Sequence, residues 1–180
     1  MGKLKRGVFE MADLGKQAME LNAAGIKLIQ DFEGLMLEAY RCSAGVLTIG
    51  YGHTSAAGAP FVTADMKITQ AEADAIFRRD VQKYCDGVRE ALLVRVNDNQ
   101  FSAMVSLCYN IGIAAFAKSS VLRFANEGRL EEAAASFALW NKAGGQVLRG
   151  LVRRRAAEAE LFQRPALAPA NHECEPGESS

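Results

Sequence analysis

Glu33, Cys42 and Thr48 stand nine and six residues apart in the run Asp31-Phe32-Glu33-Gly34-Leu35-Met36-Leu37-Glu38-Ala39-Tyr40-Arg41-Cys42-Ser43-Ala44-Gly45-Val46-Leu47-Thr48-Ile49-Gly50-Tyr51-Gly52-His53-Thr54. They supply a carboxyl, an ionisable thiol and a hydroxyl that can hold a water. A partly desolvated carboxyl at the C-terminal end of a helix has its charged form disfavoured by burial and by the negative helix end, which suits a general acid. Facing a water-activating pair, such an acid has the layout needed to hydrolyse a glycosidic bond. For an arbitrary Glu, Cys and Thr the plainer reading, a small buried residue and a strand former, wins. Here Gly50-Tyr51-Gly52-His53 weighs against it, because closely spaced glycines bring backbone near something.

These side chains need a helix end and a hairpin to hold them. Gly34 suits a helix C-terminus, so the helix beginning near Asn22 should place Glu33 at its edge. Ala39-Tyr40-Arg41-Cys42 and Val46-Leu47-Thr48-Ile49 flank Ser43-Ala44-Gly45, a strand, tight turn, strand pattern. A turn centred near Gly45 sets Cys42 and Thr48 opposite one another, with Cβ atoms roughly 5 Å apart. Further on, Thr69-Gln70-Ala71-Glu72 is a capping box that opens a helix over 69–92, with Phe77, Val81, Tyr84 and Val88 along one stripe. Asn97 or Asp98 caps the next helix, striped by Phe101, Met104, Val105 and Cys108. Leu130, Ala133, Ala134, Phe137 and Ala138 repeat the pattern. All three stripes read as core.

The motif resembles the phage endolysins of glycoside hydrolase family 24, the T-even phage lysozyme family. Their signature is Glu, eight residues, Asp or Cys, five residues, Thr, then Thr-Ile-Gly-Tyr-Gly-His-Thr. Asn99-Gln100-Phe101-Ser102-Ala103-Met104-Val105-Ser106 with Tyr109-Asn110-Ile111-Gly112 resembles the family's central helix, and Phe116 to Leu122 the following one. Trp140 to Gly145 and Gly150 to Ala159 resemble its C-terminal portion. The similarity covers roughly residues 22 to 163, the range of one domain.

The resemblance implies an α+β, mainly α, lysozyme-like fold, with a small β-hairpin lobe and a larger helical lobe flanking a cleft. It implies a muramidase that cuts the β-1,4 bond between N-acetylmuramic acid and N-acetylglucosamine for host cell lysis. By motif position Glu33 is the general acid, while Cys42, where many members carry Asp, completes the triad with Thr48. His53 is expected to brace the surroundings of Glu33. Tyr109 and Ser120 match positions lining the saccharide cleft, and one of Arg153, Arg154 and Arg155 should pair with Glu33. Cys42 would position or activate water, with direct attack on carbon the lesser route. Its thiol, near ~8.5 when free, would need a positive neighbour such as Arg41 or the Arg153 to Arg155 group to ionise at neutral pH. Two enzymatic alternatives are a lytic transglycosylase, for which Cys42 and Thr48 are unnecessary, and a Cys42-His53 peptidase or amidase, which lacks an orienting third group. A catalytically silent wall-binding homologue is the non-enzymatic one.

At 180 residues and 49% hydrophobic, the chain can bury one substantial core. Lys plus Arg equals Asp plus Glu at 21 each, so attraction to an anionic wall must be local, with the Arg149 and Arg153 to Arg155 face the obvious place. Neutral charge without aromatic interleaving speaks against nucleic acid. The expected partner is bacterial peptidoglycan, bound by a monomer as the default state. Residues 1–21 read as an N-terminal extension, 22–163 as the catalytic domain, and 164–180, with three of the four prolines, as a flexible tail. His172 and Cys174 cannot close a tetrahedral shell, so neither a metal nor another cofactor is expected. Cys85 and Cys108 read as packed thiols rather than a disulfide framework. No apolar run follows the basic N-terminus, because Glu10, Asp13, Lys16 and Glu20 interrupt it. The expectation is therefore no stable membrane insertion, accumulation in the host cytoplasm, and a holin for access to the wall.

Overall fold

The computed structural model describes residues 19–166. Most of the 1–21 extension and of the 164–180 tail, His172 and Cys174 included, lies outside the described residues. Asn22 starts α1 (Ala23–Glu33), its side chain accepting from Gly25 N at 2.9 Å. Gly34 ends the helix at φ +75°, which glycine adopts without steric cost, and its N–H bonds the Gln30 carbonyl at 3.0 Å. Glu33 is the last helical residue, as its glycine neighbour predicts.

β1 (Met36–Arg41), β2 (Leu47–Gly50) and β3 (His53–Thr54) then form an antiparallel sheet in that order. Residues 66–68 line the outer edge of β1, where Ala39 N bonds Met66 O and Ile68 N bonds Leu37 O, each at 2.9 Å. The hairpin register departs from the expectation. Tyr40 pairs with Thr48 and Arg41 with Leu47. Cys42 N then donates to Val46 O at 3.0 Å, and Gly45 N returns to Cys42 O at 2.8 Å. The cause is a three-residue loop, Ser43-Ala44-Gly45, closed by Gly45 at φ +76°. It centres the turn on Ala44, so Cys42 faces Val46 and is a diagonal neighbour of Thr48, not its direct opposite.

α2 (Gln70–Ala91) opens with the expected capping box, Thr69 and Glu72 exchanging bonds at 3.2 and 2.7 Å. It packs against the sheet near its start and against α3 (Asp98–Ile111) later, linking the small sheet to the helical body. Asn97, not Asp98, caps α3. This central helix has more than a stripe inside: residues 101–108 are all buried, because α1, α2 and α7 surround it. α1 comes so close that a Cβ on Gly25 would lie 2.5 Å from Ser102 Cβ, which makes glycine a requirement there.

The remaining helices are short: α4 (Ile113–Phe116), α5 (Ser120–Asn126) and α6 (Leu130–Ser136). The last predicted stripe is narrower than its spacing suggests. Ala133, Ala134 and Phe137 are buried, but Leu130 is 41% exposed and Ala138 is exposed, since the chain leaves α-helix for a 3-10 turn at Phe137–Leu139. A two-stranded hairpin, β4 (Lys142–Ala143) and β5 (Gln146–Val147), precedes α7 (Arg149–Gln163), which returns to pack along α3. The architecture is α+β and mainly helical, a small sheet set beside a helical body. No helix among the described residues is long and apolar enough to cross a membrane.

Candidate active site

Glu33 projects from the end of α1 with 22% of its side chain exposed. Of the three candidate arginines, Arg154 is its partner: Nη1 donates to Glu33 Oε1 at 2.7 Å. Arg154 is itself 4% exposed and held from behind, Nη2 donating to the Ser106 carbonyl at 3.3 Å and Nε to Glu158 Oε1 at 3.2 Å. Its guanidinium carbon also lies 5.7 Å from the centre of the Phe32 ring. Arg155 points the other way, into the body. Its Nη2 meets Glu158 Oε1 at 2.7 Å and its Nη1 meets Asn110 Oδ1 at 3.0 Å. Arg153 is exposed.

Glu158 is the functional residue that the motif reading leaves out. It is fully buried, accepts from Arg154, Arg155 and Ser106 Oγ on one oxygen, and approaches Arg155 Nε with the other at 2.7 Å. That last pair is close but too far off line for a hydrogen bond. Burial pushes the Glu158 carboxyl up and the Arg155 guanidinium down, each opposed chiefly by the other's charge. The separations of four and three from Arg154 and Arg155 are a usable sequence signal, since they put all three on one helix face. Ser106 and Asn110 carry no such signal.

The Gly50-Tyr51-Gly52 turn brings the sheet to Glu33. A Cβ on Gly52 would stand 3.7 Å from Glu33 Oε2, and Gly52 holds φ +90°. The space would admit a methyl group; the backbone conformation is what selects glycine. Tyr109 clasps this turn, donating from its hydroxyl to Tyr51 O at 3.1 Å. Burial pushes the Tyr109 phenol well above its usual value, so it acts as a neutral donor. Tyr51 Oη and Gln30 Nε2 both bond Asp74 Oδ1, at 3.0 and 3.2 Å. The turn, α1 and α2 thus share one carboxylate.

Cys42 and Thr48 meet on one face of the hairpin. Backbone N–H groups of Ala44 and then Val46 lower the Cys42 thiol from its ordinary value, with the Thr48 hydroxyl adding to the effect. No arginine takes part: Arg41 Nη1 is spent on the Gly45 carbonyl at 2.7 Å, and Arg154 and Arg155 of α7 face Glu33 and the core. Thr48 is 4% exposed, and its hydroxyl also reaches Val46 O at 3.0 Å.

His53 does not contact Glu33. Its Nδ1 lies 2.6 Å from Asp80 Oδ2 and its Nε2 2.8 Å from Pro60 O, so it ties β3 to α2 and to the following loop. Any bracing of the acid is indirect, through the sheet. Ser120 is the first residue of α5, partly buried, while its neighbour Ser119 caps the helix by accepting from Leu122 N at 3.2 Å. Beside Glu33 runs an open groove of about 600 Å³ whose walls include Phe32, Asn110, Leu148, Arg153 and Arg154.

A sequence model of the phage lysozyme family matches residues 30–158, which span the acid, the hairpin and the buried charge cluster. The endolysin of Bacillus phage PZA is 49% identical over 146 residues, covering 80% of this chain and 55% of the relative. The endolysin of Acyrthosiphon pisum secondary endosymbiont phage 1 is 39% identical over 149 residues, covering 81% of this chain and 99% of the relative. The chain spans about half the length of the Bacillus phage relatives it matches. Among solved structures, the muramidase domain of SpmX from Asticaccaulis excentricus superposes with a TM-score of 0.74 at 41% identity, covering 81% of this chain and 99% of that one. With its helical body, its small sheet and a glutamate at the end of α1 beside the Gly50-Tyr51-Gly52 turn, the chain belongs to the phage lysozyme family.

Proposed function

We propose that the chain is a peptidoglycan hydrolase, a muramidase that cleaves the β-1,4 bond between N-acetylmuramic acid and N-acetylglucosamine during phage lysis. One observation carries the reading: a glutamate at a helix end, one oxygen held by a buried arginine and the other turned toward a glycine turn, stands on the wall of an open groove. The names of the relatives, endolysins and a muramidase domain, support it. Glu33 gives its proton to the glycosidic oxygen as the bond to the anomeric carbon breaks. A water held by Thr48 and Cys42 adds to that carbon, and its proton passes to the thiolate. The lowered thiol of Cys42 supports a base in that place. Tyr109, Ser120 and Arg153 belong to the substrate-facing surface, whereas His53, Arg154 and Arg155 hold the frame. Accumulation in the host cytoplasm and holin-dependent release to the wall complete the proposal.

Mass analysis of digested peptidoglycan tests it. Reducing muramic acid ends are expected; anhydro-muramyl ends would replace hydrolysis with transglycosylation, and intact strands would exclude both.

A further inference from the structure

The turn that faces Glu33 is held through one side chain. Tyr51 stands between Gly50 at φ +64° and Gly52 at φ +90°, residues that admit this backbone but restrain it little. What fixes the turn is Tyr51 itself, 7% exposed and fastened at both ends. Its carbonyl accepts from Tyr109 Oη on α3 at 3.1 Å, and its own hydroxyl donates to Asp74 Oδ1 on α2 at 3.0 Å. Between these anchors its ring packs edge-on against Phe77, with centroids 5.6 Å apart.

The other wall beside the acid returns to the same atom. Gln30, one helical turn before Glu33, donates from Nε2 to Asp74 Oδ1 at 3.2 Å, and its carbonyl receives the Gly34 N–H that ends α1. One oxygen of Asp74 therefore sets the gap between the end of α1 and the Gly52 turn, the gap that Glu33 Oε2 faces. Arg154 donates to Oε1, which leaves Oε2 to carry the proton. We propose that Tyr51 and Asp74 are positioning residues for the general acid, fixing where the proton-bearing oxygen of Glu33 stands and acting through Glu33 rather than on the substrate. This rests on the muramidase reading, in which Glu33 is that acid.

Tyr51→Phe tests it, because the change removes one hydroxyl and keeps the ring. With folding shown by circular dichroism, kcat on purified peptidoglycan should fall about tenfold, short of the roughly hundredfold that a misplacement of about 1 Å costs. KM should stay near that of wild type, since the loss belongs to the transition state. In a Glu33→Gln background the same change should lower the residual turnover no further, whereas a purely structural role would lower both alike. Asp74→Ala should lose at least as much kcat as Tyr51→Phe. Asp74→Asn, which keeps an oxygen where both donors converge, should recover most of that loss. An unchanged kcat in Tyr51→Phe, an equal loss in the Glu33→Gln background, or an Asp74→Asn as slow as Asp74→Ala would overturn the inference and leave the muramidase reading in place. Turnover of Glu33→Gln near that of wild type would overturn that reading and this inference with it.

Discussion

Behind Glu33, Arg154 is 4% exposed and Glu158 not at all; at the tip of the hairpin, residues 43–46 are all exposed. The acid is held by charges that have left water, and the thiol by a short turn that remains in it. Removing one member of a buried ion group strands the others, at a cost of about 3–5 kcal/mol, whereas exposed polar contacts cost little to rearrange. The two sides should therefore fail differently. Damage behind Glu33 should unfold or loosen the protein, and damage at Cys42 should spare the fold and change the chemistry.

Glu158→Ala is the strongest challenge to that contrast. It strands Arg154 and Arg155 and should cost about 3–5 kcal/mol, with a fall in Tm of about 10 °C, read by circular dichroism. A change as small as that of Cys42→Ala would erase the distinction. Next comes Arg154→Met, which removes both the partner of Glu33 and a member of the cluster. It should lower kcat about a hundredfold through misplacement of the acid and also lower Tm; a loss of kcat without a loss of Tm would separate catalysis from the buried cluster.

The hairpin side is sharpened by pH. The base must be deprotonated while the acid Glu33 is still protonated, so the profile of rate against pH has two limbs, one of them set by the Cys42 thiol, which turn amides hold below its ordinary value. Cys42→Asp should move that limb several units lower, toward the carboxylate range near ~4. An unmoved limb would remove Cys42 from the titrating role. The thiols offer a milder comparison within one molecule. Burial pushes Cys85 up to about 11 and Cys108 up to about 12, whereas turn amides bring Cys42 down. Cys42 alone of these three should react promptly with a thiol reagent, the other two only after denaturation, as counted by mass.

The same contrast decides what could be read from the chain. Local devices were legible: the helix start near Asn22, the Thr69 to Glu72 box and Gly34 as the stop all act within a few residues, and each stands where expected. The hairpin was legible as an element but not in register, because the turn centre depends on Gly45 taking a positive φ rather than on composition. The mount of Glu33 was half legible. Three adjacent arginines were evident, but the choice of Arg154 is made across 121 residues by the packing of α7 on α3 and α1, which no local pattern reports. His53 shows the opposite error: close in sequence to the catalytic hairpin, it serves Asp80 on α2.

The most direct measurement is the turnover of purified peptidoglycan by Glu33→Gln beside wild type, with both shown folded. Glutamine keeps the size of the side chain and cannot supply the proton. The account predicts a loss of about a thousandfold in kcat, the scale of a general acid's contribution, with substrate binding retained. Turnover within a few fold of wild type would contradict it.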